Sequence, residues 1–200
     1  MRLLLLGCTG FIGRELVPIL KSAGHDLTVI SRNPIKRIGS LKEGKNFVHI
    51  HKNPTDPKCW ESKEIQKALN NSEGIINLAG EPIAEKRWSE SHCKLIVNSR
   101  INTSENLMRA ISKIKTPPSV LISGSAIGFY GTSKTKCFTE ENSNGEDFLA
   151  KLCQKWETVV SSNKPRNTRL VIIRIGIVVG ADGGALGKML PLFKAGFGGP

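Results

Sequence analysis

The hydrophobic positions of this chain alternate between short continuous runs and longer stretches with helical spacing. The first run is Leu3–Leu6, and apolar residues then recur at helical spacing over Phe11–Leu20. A short, wholly apolar run is typical of a strand buried on both faces, and apolar residues three or four positions apart predict the buried face of a helix. The chain therefore begins with a strand, a tight connection at Gly7 and a helix. Pro18 predicts a local kink or a missing hydrogen bond in that helix.

The same alternation continues to the end of the chain. Further strands are predicted at Leu27–Ile30, Phe47–Ile50, Gly74–Leu78, Val120–Ile122 and Leu170–Val179. Further helices are predicted at Ile65–Leu69, Glu90–Ile114, Phe148–Val160 and Gly184–Phe197. Strands that alternate with helices imply a parallel sheet with helices on both faces. We therefore expect an α/β fold, a doubly wound parallel sheet of the Rossmann type, over residues 1–200.

The connection between the first strand and the first helix has the spacing G-x-x-G-x-x-G. In dinucleotide-binding loops the first glycine makes the turn, the second lets the backbone approach a pyrophosphate, and the third allows close packing of helix on strand. The helix N-terminus adds N–H donors and the positive end of its dipole. A plain tight turn is the alternative. The residues predicted to bind the cofactor here are Gly7, Thr9, Gly10, Phe11, Ile12 and Gly13.

The choice between NAD and NADP depends on the end of the second strand. Sites for NAD place an Asp or Glu there to bind the ribose hydroxyls, whereas this chain has Ser31, Arg32 and Asn33. An arginine pairs with a 2′-phosphate that an acid would repel, and Lys36 and Arg37 follow closely. We expect Arg32 to bind the cofactor and NADP to be preferred over NAD, the alternative being a solvated basic loop.

Composition narrows the class of protein further. A chain of 200 residues can bury one substantial core. The formal net charge is +12, but Lys and Arg are scattered among Glu residues, without zinc-finger or RNA-binding patterns, so we expect no nucleic-acid partner. Five cysteines without a C-x-x-C pair indicate neither a disulfide framework nor a metal site. With no signal peptide or membrane span apparent, a cytoplasmic protein is expected.

Several stretches together resemble the extended short-chain dehydrogenases/reductases. They are Gly7–Gly13, Asn77–Gly80, Ser123–Ala126 with Tyr130-Gly131, and Arg174–Gly180. The resemblance covers essentially the whole chain and extends to an atypical subgroup, the NAD-dependent epimerase/dehydratase-like proteins, also labelled cell-division inhibitor-like. Members of that subgroup continue into a C-terminal substrate lobe. The resemblance therefore implies a chain truncated at its C-terminal end, with that lobe missing.

The resemblance also implies roles for particular residues. Leu78, Ala79 and Gly80 match the stretch that lines the cofactor cleft after the fourth strand, for which an ordinary strand-ending turn is the alternative. Ser125 matches the catalytic serine, which hydrogen-bonds a substrate carbonyl or hydroxyl; the alternative is a strand cap.

The catalytic Tyr-x-x-x-Lys pair of the family is in doubt. Tyr and Lys work together only on one face of a helix, one turn apart. Tyr130 and Lys134 have the spacing, but Gly, Thr and Ser between them indicate a loop. Aligning Glu157 with the glutamate of the family helix puts Leu149 and Cys153 in the Tyr and Lys positions.

Three functions remain open, in this order of preference. The first is an NADP-dependent, epimerase-like oxidoreductase that uses other acid–base groups, with Ser125 and Tyr130 as candidate catalytic residues. The second is a regulatory protein that senses NADP without catalysis, and the third is a basic nucleic-acid-binding protein. The substrate is expected to be a small molecule; a sugar nucleotide follows only from analogy with the family. The oligomeric state is not predicted.

Overall fold

The computed structural model describes residues 1–32, 44, 46–180 and 183–198. Its strands are β1 (Arg2–Leu6), β2 (Asp26–Ser31), β3 (Phe47–His51), β4 (Gly74–Asn77), β5 (Val120–Ala126), β6 (Arg169–Ile175) and β7 (Val179–Gly180). Its α-helices are α1 (Phe11–Ser22), α2 (Lys63–Asn71), α3 (Glu90–Ile111), α4 (Phe148–Ser162) and α5 (Gly184–Lys194). Short 3-10 helices lie at Pro57–Glu61 and Ile127–Tyr130.

Six strands form one parallel sheet in the order β3-β2-β1-β4-β5-β6. Strand β1 lies at the centre, where Leu5 pairs with Val29 of β2 on one side and with Ile76 of β4 on the other. The chain order reverses between β1 and β4, and such a switch point opens a crevice at the carboxyl ends of the strands. The predicted doubly wound Rossmann-type fold is therefore confirmed.

The core has a layer on each face of the sheet, because successive side chains of a strand point to opposite faces. Leu4 and Leu6 pack with residues of α2 and α3, whereas Leu3 and Leu5 pack with Val17 of α1. A third cluster, which includes Ile96, Ile101, Leu152 and Trp156, joins α3 to α4. Each fully buried leucine side chain stabilises the fold by about 1.5–3 kcal/mol relative to exposure.

The observed strand ends differ from the predicted ones. The prediction ended β5 at Ile122, whereas the strand continues to Ala126 and pairs with β6 throughout. The continuation consists of small and polar residues, which carry no apolar signal. The predicted run to Val179 also proved too long, since β6 ends at Ile175, next to Gly176.

The helices differ less from their predictions. Helix α3 ends at Ile111 rather than Ile114, and α5 ends at Lys194 before a positive-φ turn at Gly196. Helix α1 continues through Pro18 without a break. In the described part of the chain, no helix combines the length and apolar character that a bilayer crossing requires.

Substitution of two glycines with positive φ, Gly7 at the switch point and Gly24 after α1, tests the close packing at the switch point. Gly7 (φ 72°) and Gly24 (φ 80°) share the left-handed backbone, but an added Cβ overlaps the backbone of Leu78 and Ala79 at Gly7 and meets nothing within 4 Å at Gly24. We expect Gly24→Ala to lower the free energy of unfolding by about 1 kcal/mol. Gly7→Ala should lower it by more than about 3 kcal/mol, because backbone must also move. Urea unfolding followed by circular dichroism measures both, and equal losses would contradict the close approach.

Candidate functional site

Two adjoining cavities lie at the carboxyl edge of the sheet, at the switch point. The first, which we call the loop cavity, measures about 300 Å³ and is lined by Gly7, Gly10 and other residues. The second, which we call the apolar cavity, measures about 430 Å³ and reaches from Leu78 to α4. Both are lined by residues 79–82, which follow β4. This stretch therefore forms a wall common to the two cavities.

The glycine loop has the geometry that its spacing predicts. Gly7 makes the turn, and its carbonyl accepts a hydrogen bond from the Gly10 N–H at 3.2 Å. A Cβ at Gly13 would overlap the backbone of Cys8, whereas one at Gly10 would contact only the Gly7 oxygen, at 3.3 Å. The first-turn N–H groups of α1 lack intrahelical acceptors, and no side chain caps this helix. These donors are therefore available to an anion at the helix N-terminus.

Eight of the ten predicted cofactor residues line one or both cavities, and Phe11 and Gly13 line neither. Those that line the loop cavity are Gly7, Thr9, Gly10, Arg32, Ala79 and Gly80. Those that line the apolar cavity are Ile12, Leu78, Ala79 and Gly80. Phe11 differs, because its ring packs against Gly180, Gly183 and Gly184, where an added Cβ would lie 2.7–2.8 Å from ring carbons. A contact of Phe11 with a ligand in the loop cavity is thus expected through its backbone N–H.

A buried hydroxyl in the loop cavity was missed by the sequence analysis. Thr103 Oγ1 is fully buried and has no hydrogen-bond partner among the described residues. One turn earlier on α3, the hydroxyl of Ser99 accepts a hydrogen bond from the Glu81 N–H at 2.8 Å. The four-residue spacing of these two hydroxyls on a predicted helix was the available signal. Thr103 lines the loop cavity, so a polar ligand bound there is a candidate partner for this unpaired hydroxyl.

Arg32 lies at the mouth of the loop cavity, as the NADP prediction requires, but its guanidinium is already paired. Its Nη2 atom lies 3.1 Å from Glu81 Oε2, and the Arg32 side chain is half exposed whereas that of Glu81 is 17% exposed. A phosphate bound by Arg32 must therefore exchange with, or share, the Glu81 carboxylate. The predicted contributions of Lys36 and Arg37 lie outside the described residues.

The apolar cavity contains the two residues that the family alignment put in the Tyr and Lys positions. Leu149 and Cys153, one turn apart on α4, both line it, together with Ser125 of β5. Burial raises the pKa of the Cys153 thiol, so it remains neutral near pH 7 and cannot replace a lysine charge. No tyrosine or lysine is present among the described residues that line this cavity.

The structure does not bring Tyr130 into the apolar cavity. Tyr130 ends a short 3-10 helix, and Gly131, with φ of 71°, prevents its continuation. The sequence analysis therefore interpreted the Tyr130–Lys134 spacing correctly as non-helical. The Tyr130 hydroxyl accepts a hydrogen bond from Arg174 Nη1 at 2.8 Å, and its ring stacks on Phe138. A catalytic role for Tyr130 remains a prediction.

A partly buried ion pair holds Ser125, and the sequence analysis did not identify it. Ser125 Oγ donates to Glu157 Oε1 at 2.6 Å, and Arg174 makes two hydrogen bonds of 2.9 Å to the Glu157 carboxylate. The Arg174 guanidinium also lies 3.6 Å from the centroid of the Phe129 ring. Hydrogen bonding to Glu157 raises the pKa of Arg174. The pair thereby ties β5, α4 and β6 together beside the apolar cavity.

The structure has a further cavity but no metal-binding cluster among the described residues. A larger cavity of about 740 Å³ lies between β3 and α2, lined by Val48, His49, Lys67 and other residues. It shares no lining residue with the loop cavity or the apolar cavity and includes no residue of the glycine loop, so it is not the candidate site. In the part of the chain that the structure describes, no group of three or more His, Cys, Asp or Glu side chains is placed to hold a metal ion.

Comparison with known proteins identifies relatives along the whole chain. A model of the NAD dependent epimerase/dehydratase family matches residues 3–197. The epimerase family protein SDR39U1 homolog, chloroplastic, of Arabidopsis thaliana is 39% identical over 197 residues, which are 97% of this chain and 54% of that protein. Human epimerase family protein SDR39U1 is 34% identical over 204 residues, covering 100% of this chain and 62% of that protein. The chain thus spans between about half and two thirds of the length of these relatives.

Solved structures agree with these matches. The crystal structure of human epimerase family protein SDR39U1 (isoform2) with NADPH has a TM-score of 0.80 at 33% identity, covering 100% of this chain and 62% of that chain. UDP-glucuronic acid 4-epimerase from Bacillus cereus in complex with NAD has a TM-score of 0.76 at 21% identity, covering 98% of this chain and 63% of that chain. At that identity the second likeness shows the fold alone.

Removing the negative charge of Glu157 tests the Glu157–Arg174 ion pair. The two side chains are partly buried, at 11% and 19% exposed, so Glu157→Gln should lower the free energy of unfolding by about 1–3 kcal/mol, the range for lost charged hydrogen bonds. The control is Glu90→Gln, which breaks the exposed pair with Lys94 and should cost less than about 0.5 kcal/mol. Thermal and urea unfolding measure both variants. Similar small losses would show that the Glu157 pair contributes little.

Proposed function

The chain belongs to the NAD dependent epimerase/dehydratase family, and we propose that it is an NADPH-dependent oxidoreductase that acts without the Tyr-x-x-x-Lys pair. One observation carries the proposal: the glycine loop and the uncapped N-terminus of α1 open onto a cavity that continues into the apolar cavity beside Ser125. This arrangement offers a phosphate site and an apolar reaction site in one cleft.

The residues present fit the cofactor. In the proposed arrangement the N–H groups of the glycine loop and of α1 bind the pyrophosphate, and the orphaned Thr103 hydroxyl binds a ribose or phosphate oxygen. Arg32 pairs with the 2′-phosphate, and the apolar cavity receives the nicotinamide. The crystal structure of the human relative contains NADPH, which supports NADP over NAD. When bound, the nicotinamide supplies a hydride.

The residues of the apolar cavity have separate tasks in this proposal. Ser125 donates a hydrogen bond to the substrate oxygen, because its hydroxyl can rotate its proton away from Glu157. The alkoxide that hydride addition leaves would take its proton from solvent, which reaches the cavity edge at the exposed Ile127 and Ile177 side chains. Glu157, fixed by Arg174, holds the Ser125 side chain in position between turnovers. Leu149 and the neutral Cys153 give the reacting centre an apolar wall beside Ser125.

A second function is favoured by one specific observation. The Tyr and Lys positions of α4 hold Leu149 and Cys153, and neither side chain serves as a proton donor like tyrosine or a fixed cation like lysine. A protein that binds NADPH as a signal, without turnover, needs neither group. Both functions share the cofactor site and differ only in the chemistry beside Ser125.

The preference for NADPH is tested by removing the guanidinium of Arg32. Arg32→Ala should weaken NADPH binding by about 1–3 kcal/mol, the range for charge-assisted hydrogen bonds, and change NADH binding little, because NADH lacks the 2′-phosphate. The exposed Arg166 supplies the control variant Arg166→Ala, which should bind both cofactors as the wild type does. Isothermal titration calorimetry measures these affinities. Equal losses for the two cofactors would remove Arg32 from phosphate recognition.

Turnover distinguishes the two functions. With a panel of aldehydes and ketones, the oxidoreductase proposal expects a carbonyl-dependent loss of NADPH absorbance, which Ser125→Ala slows by about a hundredfold, as for loss of a donor to a developing oxyanion. The control is Ser161→Ala on the exposed side of α4, which should leave the rate unchanged. NADPH binding without oxidation by any member of a broad panel would favour the signalling function instead.

A further inference from the structure

We propose that the apolar cavity binds an organic carboxylate with an apolar body, and that the carboxylate pairs with Arg100 of α3. This inference rests on the proposed function, because it names the substrate class of the same cleft. Sequence analysis did not single out Arg100, which lies in the middle of a long helix with no cationic motif around it.

The Arg100 guanidinium is held at the cavity wall by neutral groups. Its Nη1 atom donates to the backbone oxygens of Glu81 and Ile96, at 3.0 and 3.1 Å. Its Cζ atom lies 5.4 Å from the centroid of the Trp156 ring. The guanidinium also packs on Gly80, where an added Cβ would lie 2.9 Å from Cζ. These contacts fix the orientation of the cation without neutralising it.

The positive charge of Arg100 has no carboxylate partner within ion-pairing distance among the described residues. The Glu81 carboxylate pairs with Arg32, and Glu81 bonds Arg100 only through its backbone oxygen. Burial lowers the pKa of the Arg100 guanidinium, and the charge of Glu81 raises that pKa by less, but arginine stays protonated near neutral pH. The neighbouring Cys153 thiol supplies no compensating charge, because burial raises its pKa. A largely buried, unpaired cation costs free energy, which an anionic ligand would recover.

The remaining walls indicate what kind of anion fits. Apart from Arg100, Glu81, Cys153 and Ser125, the described residues that line this cavity are apolar side chains, glycines and Pro82. Typical members are Ile12, Leu78, Ile83, Leu149 and Leu152. The volume of about 430 Å³ lies in the range of small-ligand sites. A sugar nucleotide has many hydroxyls and two phosphates that these walls would leave unpaired. A ligand with an apolar body and one carboxylate packs against these walls without leaving a polar group unpaired. Its carboxylate matches the geometry of the Arg100 guanidinium.

The test compares benzoate with its neutral isostere benzamide. Each is titrated by calorimetry into the 200-residue chain, with and without saturating NADPH. We expect benzoate to bind at least about tenfold more tightly than benzamide, since the charge-assisted bonds are lost in the amide. Affinity for benzoate should fall about tenfold or more in Arg100→Met and less in Arg100→Lys, which keeps the charge but not the fork. Arg109→Met, an exposed change on the same helix, is the matched control and should bind like the wild type.

The outcomes separate this inference from the proposed function. Failure of the wild type to bind NADPH would overturn the proposed function, while the titrations without NADPH still report on Arg100. If NADPH binds, and benzoate binds no better than benzamide or binds Arg100→Met unchanged, the carboxylate inference is overturned alone. Because Arg100→Met could disturb α3, its thermal unfolding is measured first. The benzoate–benzamide comparison on the wild type decides the question even if that variant does not fold.

Discussion

The backbone contact between Gly7 and the residues that follow β4 is the constraint on which the site depends. At this point two chain segments approach so closely that no Cβ fits between Gly7 and Leu78–Ala79. The approach lets the turn after β1 lie against the end of β4, at the place where the strand order reverses. The glycine loop and the wall formed by residues 79–82 are thereby fixed relative to each other. A side chain at Gly7 would separate the two halves of the cleft.

The two cavities that meet at this contact differ in their chemistry. In the proposed function, one binds the phosphates of the cofactor and the other holds the reacting groups. The loop cavity presents backbone N–H groups, the Thr103 hydroxyl and Arg32, all suited to a phosphorylated dinucleotide. The apolar cavity presents hydrocarbon walls with Ser125 and Arg100 as its principal polar features. The loop cavity thus offers several hydrogen-bond donors, whereas the apolar cavity offers few polar groups on mostly hydrocarbon walls. The partly buried Glu157–Arg174 pair supports this second site from outside the cavity.

The sequence predicted those features that depend on local pattern. Apolar runs located the sheet and helices, glycine spacing located the loop, and alignment on Glu157 put Leu149 and Cys153 correctly on one helix face. Features that depend on contacts between distant segments were missed. The ion pair of Arg32 with Glu81 joins residues 49 positions apart, and no local pattern marks it. The polar half of β5 was missed because it is held by pairing with β6 rather than by apolar side chains.

Amide hydrogen exchange with and without NADPH tests the central claim most directly, because it locates the bound cofactor residue by residue. If the uncapped N-terminus of α1 binds the pyrophosphate, NADPH should slow exchange at the N–H groups of Phe11, Ile12 and Gly13, and at Gly80 in the shared wall. The larger cavity between β3 and α2 should show no change. Protection confined to that cavity, around Val48, or no protection at the glycine loop despite binding, would contradict the account.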